Sequence, residues 1–121
     1  MSTVLLAHHS TAAYAEKTVT LKNAVVDSLI WANPHCVLWF EVKDERGRAA
    51  RWAAETGSPS ALSRIGWHRN SLKRGDVILV ELFPAKNGAH VSRLARVVLP
   101  DGKELLDSVF KASPFDTIQK K

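Results

Sequence analysis

The sequence predicts an all-β domain, a five-stranded barrel with one short helix between strands 3 and 4. Three observations predict it. Period-two alternation with β-branched and aromatic residues recurs near 18–32, 35–43, 49–55, 77–84 and 90–99. Turn-forming clusters separate these runs: Asn33-Pro34, Asp44 to Arg48, Lys73 to Asp76 and Pro84 to Gly88. The clearest helix-start signal, Ser58-Pro59, falls between the third run and the fourth.

Residues 1–17 carry no sustained periodicity and read as an N-terminal arm. The first strand is long, running from Val19 through Leu21, Ala24, Val25, Val26, Leu29 and Ile30 to Trp31. Its alternation slips phase near Asn23, which predicts a β-bulge. In the second strand Cys36, Leu38, Phe40 and Val42 alternate with His35, Val37, Trp39, Glu41 and Lys43. The third centres on Trp52, whose place beside the strand of Trp39 allows the two rings to stack across the sheet. Ser58 caps a helix over 59–66, in which Leu62 and Ile65 share a face and Gly66 ends the run. Val77 to Phe83 and His90 to Leu99 supply the fourth and fifth strands. Pro100-Asp101-Gly102 is a turn, after which Leu105 adds a short return strand. The barrel therefore spans 18–105. Residues 106–121 form a C-terminal tail, with Leu106, Val109 and Phe110 as a candidate helical turn. This element order is that of an oligonucleotide/oligosaccharide-binding (OB) barrel, whose long first strand curves to pair with both sheets.

Composition is compatible with one domain and an ordinary core. The chain has 121 residues, 45% hydrophobic and 24% charged. A formal charge of +5 favours anionic partners, but the basic residues are scattered through turns and the helix rather than gathered. Cys36 is the single cysteine, so no internal disulfide forms; it reads as a small buried hydrophobe. The apolar runs are far shorter than the roughly 20 residues of a spanning helix. Thr3-Val4-Leu5-Leu6-Ala7 is apolar, ends in a small residue and meets His8-His9-Ser10. Residues 1–7 thus read as the end of a secretory signal peptide whose beginning is encoded upstream, with the mature chain expected to start at His8; the competing reading is a short cytosolic arm.

The chemistry-bearing candidates are histidines and tryptophans. With cleavage after Ala7, the terminal amine and imidazole of His8 chelate one metal. A further imidazole from His9 or His35 completes a T-shaped Cu(II) site, with Cys36 a softer option. The competing reading is a solvated histidine pair, and no compact zinc spacing occurs. His68 and His90 read as surface residues. Trp39 and Trp52 offer base-stacking platforms if the barrel binds single-stranded nucleic acid, the alternative being core and rim packing; Trp31 and Trp67 suit barrel-end packing. No nucleophile elbow or phosphate-binding glycine loop is present.

His8-His9-Ser10, Trp31-x-Asn33-Pro34-His35, Trp52-Ala53, Gly57-Ser58-Pro59, Gly66-Trp67, Leu72-Lys73-x-Gly75-Asp76 and Leu99-Pro100-Asp101-Gly102 occur in that order. This set resembles a family of small exported proteobacterial proteins that carry a domain of unknown function. The resemblance spans residues 8–105 and departs at Cys36, where an apolar residue is expected. It implies a periplasmic location and no particular reaction. The leading expectation is a non-catalytic periplasmic ligand-binding or accessory module. It would hold a copper ion or small organic molecule at one barrel end, with Trp31, Asn33 and His35 lining the ligand site and His8, His9 and His35 as metal donors. A single-stranded nucleic-acid binder is the disfavoured alternative, and a small enzyme around His35 the third.

Overall fold

The computed structural model describes residues 13–108. Its elements are β1 (Val19–Ile30), β2 (Val37–Lys43), β3 (Ala49–Glu55), α1 (Pro59–Ser63), β4 (Val77–Pro84), β5 (Val91–Val98) and β6 (Glu104–Leu106). The sheet order is β3-β2-β1-β4-β5-β6, and a parallel pairing of β3 with β5 closes it. The result is the expected five-stranded barrel with its helix between β3 and β4, and β6 is the short return strand around Leu105.

Closure depends on β1 bending. Its first half pairs with β4 and its second half with β2. Between Leu21 and Ala24 the β4 register advances only from Val80 to Ile78, leaving one extra residue on β1. Asn23 stands there at φ 58, a left-handed conformation its short polar side chain tolerates. This is the bulge the phase slip predicts. A second bulge, between Val26 and Ser28, turns the strand into its pairing with β2. A third lies on β5: Glu81 pairs with Arg96 and Leu82 with Leu94, so Ala95 is the extra residue, and Leu94 and Ala95 are both buried.

The inward set follows the alternation. Ala24 and Val26, Leu38 and Phe40, Ile78, Val80 and Leu82, and Leu94 and Val97 fill the barrel. Leu62 of α1 packs into the same core. Ser58 caps this helix by accepting a hydrogen bond from Ala61 N at 3.1 Å. The helix stops at Ser63, short of the expected 66, and Ile65 is exposed rather than sharing the face of Leu62. Gly66 turns the chain at φ 102, and Trp67 takes the core position instead. Trp67 donates Nε1–H to the Leu106 carbonyl at 2.9 Å, tying this connector to β6.

The Trp39–Trp52 stack that neighbouring strands allow does not form. The β2–β3 register sets Phe40, not Trp39, opposite Trp52, and one residue of offset moves a side chain to the other face. Trp52 stacks on Phe40 and on His90, with the His90 ring centroid 4.5 Å away. Trp39 carries the Arg51 guanidinium over its ring at 4.3 Å. Leu106 lies in β6 rather than in a helical turn, and Val109 and Phe110 fall outside the described residues.

Candidate functional site at the His35 end of the barrel

The chain between β1 and β2 carries the Trp31-x-Asn33-Pro34-His35 segment. Trp31 is half-buried against the core, while Asn33 and Pro34 are exposed around a cis peptide bond. Cys36 anchors the segment. Its N–H donates to the Gly57 carbonyl at 2.9 Å, and its carbonyl accepts from Thr56 N at 2.9 Å. The Thr56 hydroxyl is within hydrogen-bond distance of the Cys36 and Gly57 carbonyls, at 3.2 and 3.0 Å. Cys36 is fully buried, and burial pushes its thiol pKa up, so it stays protonated and inert as a nucleophile at neutral pH.

Held this way, His35 turns its ring onto β3. Nδ1 lies 2.9 Å from the Thr56 carbonyl, which can only accept, so Nδ1 carries the proton. In the neutral ring Nε2 therefore keeps its lone pair. Nε2 stands 3.7 Å from Glu55 Oε2, with the His35 side chain 32% exposed and that of Glu55 10%. A backbone carbonyl that fixes one ring nitrogen and leaves the other able to accept is the usual support of a metal-binding or ligand-binding imidazole.

Three further segments converge here. Glu55 pairs in register with Arg93 through the parallel β3–β5 contact. Arg93 donates from Nε and NH2 to Asp107 Oδ2, at 3.1 and 2.9 Å. Asp107 is fully buried, and its Oδ1 accepts from Gly57 N at 2.8 Å. The arm arrives from the other side. Tyr14 bridges Ala85, Ala15 N donates to the Pro84 carbonyl, and Lys86 N donates to the Ala13 carbonyl. Burial raises the Tyr14 phenol pKa, repulsion from Glu55 adds to the rise, and Arg93 opposes it. The Tyr14 hydroxyl is thus part of the same electrostatic neighbourhood. It is buried and has no hydrogen-bond partner among the described residues.

Of the residues singled out in sequence, the fold places Trp31, Asn33 and His35 on one loop at this end. His8 and His9 lie outside the described residues. His68 and His90 are exposed, and His90 belongs to the Trp52 stack. Among the described residues no three His, Cys, Asp or Glu side chains form a metal-holding set. Tyr14, Arg93 and Asp107 escape a sequence reading of the site, and Glu55 is legible there only as a general candidate base beside Asp27 and Glu41. Glu55 carried one usable signal, an acidic residue following the apolar run Trp52-Ala53-Ala54 just before Thr56-Gly57.

No curated protein and no solved structure matches this chain. A family model does match, over residues 1–93, and its description is a family of unknown function, DUF6152. The chain belongs to that family.

Proposed function

We propose that the protein is a non-catalytic ligand-binding or accessory module, acting in the periplasm, whose recognition surface is the His35 end of an OB-type barrel. The observation that carries this reading is the fixed His35 ring, with Nδ1 bonded to Thr56 and Nε2 facing Glu55 on a part-exposed surface. Its ligand is a copper ion or a small organic molecule. The exported location is supported by the apolar run Val4-Leu5-Leu6-Ala7 ahead of His8-His9-Ser10.

The arrangement of arginines and tryptophans favours this reading over a nucleic-acid binder. A single-strand platform needs open aromatic faces beside uncommitted cations. Here Trp52 is flanked by Phe40 and His90, and Trp39 is capped by Arg51. Arg51 and Arg74 both pair with Asp27, Arg93 with Asp107, and Arg96 with Glu81 and Glu104. An enzyme reading gains nothing from Cys36, whose thiol is buried and protonated.

The test is a map of backbone amide signals in the full chain. Substoichiometric Cu(II) and, separately, a set of small organic fragments are added. Perturbations grouped at residues 31–36 and 55–57 are expected for at least one of them. Signals that move only elsewhere, or nowhere, sink the proposal.

A further inference from the structure

We propose, resting on the module reading above, that this end is a subsite for a divalent transition-metal cation. Nε2 of His35 and the Glu55 carboxylate are its two protein donors, and the Tyr14 hydroxyl bonds to a water of the same shell.

Three features converge on this assignment. The first is the tautomer: the Thr56 carbonyl takes the Nδ1 proton, so the neutral ring offers a lone pair at Nε2. The second is spacing. Two donors each about 2.1 Å from one tetrahedral ion stand about 3.4 Å apart, and Nε2 and Glu55 Oε2 are 3.7 Å apart, so both reach one ion after a small side-chain shift. The third is Tyr14. A buried hydroxyl without a partner is uncommon, because its desolvation goes uncompensated. An ordered water next to Glu55 would supply that partner, and a metal ion would hold such a water in place.

Charge favours a cation over an anion. The carboxylate that faces His35 is nearly buried, and a carboxylate in such a place attracts a cation and repels an anion. Imidazole with a carboxylate suits first-row divalent ions, Cu(II) above Zn(II) in affinity. With two donors from the described residues, the other positions of the shell are left to water or exchangeable ligands.

Zn(II) titration of the full chain tests the assignment, with affinity read at the Thr56 and Gly57 amide signals so that other histidines do not contribute. His35→Ala and Glu55→Gln are each expected to weaken binding at least tenfold, a loss in the range seen when supporting groups of metal sites are removed. Glu55→Asp should recover part of the loss, and His90→Ala should change nothing. Tyr14→Phe should weaken binding severalfold while leaving the melting temperature equal or higher, since it removes a buried unbonded hydroxyl. Thermal melts of each variant without metal establish that it folds. A full-strength Glu55→Gln beside a weakened His35→Ala overturns the donor pair and leaves the module reading standing. Zn(II) that leaves both signals unmoved to millimolar concentration overturns the metal subsite, and the organic-fragment map then decides the module reading alone. Tyr14→Phe with unchanged affinity removes Tyr14 from the site.

Discussion

Replacing Asp107 by Ala should be the most damaging single change at this end of the barrel. Asp107 is fully buried and accepts three hydrogen bonds: Gly57 N at 2.8 Å, Arg93 NH2 at 2.9 Å and Arg93 Nε at 3.1 Å. Removing it strands the Gly57 N–H, worth about 1–3 kcal/mol when buried. It also strands the Arg93 guanidinium, whose side chain is 19% exposed. Breaking one side of a buried pair costs about 3–5 kcal/mol, and partial exposure of Arg93 argues for the lower part of that range. The two costs share one side chain and overlap, so the expected loss is about 3–5 kcal/mol in all. Total stability of a domain this size is about 5–15 kcal/mol, so the variant should be marginal. Urea unfolding followed by tryptophan fluorescence measures this well, because Trp67 is buried and bonded to Leu106, the residue before Asp107. Asp107→Asn keeps an acceptor for Gly57 but sets its amide NH2 against the Arg93 donors, so it should recover only the Gly57 part of the loss. A loss below about 1 kcal/mol in Asp107→Ala would refute the reasoning, since neither stranded group could then be desolvated as described.

Gly57→Ala should destabilise by about 1–3 kcal/mol through overpacking. A Cβ there would stand 2.0 Å from Ser108 Oγ and 3.1 Å from its Cβ, and only the first of these can rotate away; an unchanged urea midpoint would count against it. The Cys36 thiol, buried and with a raised pKa, should resist a disulfide reagent at pH 8 in the native protein and react at once in urea. Fast native labelling would show that the β1–β2 segment opens. Tyr14 has a folded pKa above the usual phenol value of about 10. Its contribution is whole below that value and is lost as pH rises through the folded pKa, because the unfolded phenol ionises first. Tyr14→Phe should therefore lose less stability between pH 9 and pH 11 than the parent chain, and an identical loss in both would refute it.

The barrel was legible because its signals are local. Alternation chose the inward residues, the phase slip found the Asn23 bulge, and Ser58-Pro59 found the helix start. Where the outcome depended on pairing partners, the sequence reading failed. Trp39 and Trp52 are both central to neighbouring strands, yet the register decides which face each occupies, and no local feature fixes register. Ile65 fits a helical face by spacing, but Gly66 and the size of Trp67 settle which apolar side chain enters the core. The site divides the same way. His35 follows a turn and stood out as a lone imidazole. Glu55, Arg93 and Asp107 carry ordinary charged-surface chemistry until the fold brings them together. Asp107 looked least informative of all, since a charged residue past the last recognisable strand reads as solvated tail.

What gathers these residues is the barrel closure itself. Tyr14, His35, Glu55, Arg93 and Asp107 come from five separate segments, and the parallel β3–β5 contact is short, running from Ala53 to Glu55 against Val91 to Arg93. Ser92 reinforces it by donating from its buried hydroxyl to the Ala53 carbonyl at 2.9 Å. The closure therefore sets both the stability of the barrel and the spacing of His35 and Glu55. Weakening it, by Ser92→Ala for example, should loosen the site together with the fold. The Trp39, Arg51 and Asp27 cluster stands apart from it by position along the strand, since Arg51 precedes Glu55 on the same face of β3. Stability and ligand geometry are thus coupled at one end of the barrel, where a ligand that bridges His35 and Glu55 would also hold β2 and β3 to the chain around them.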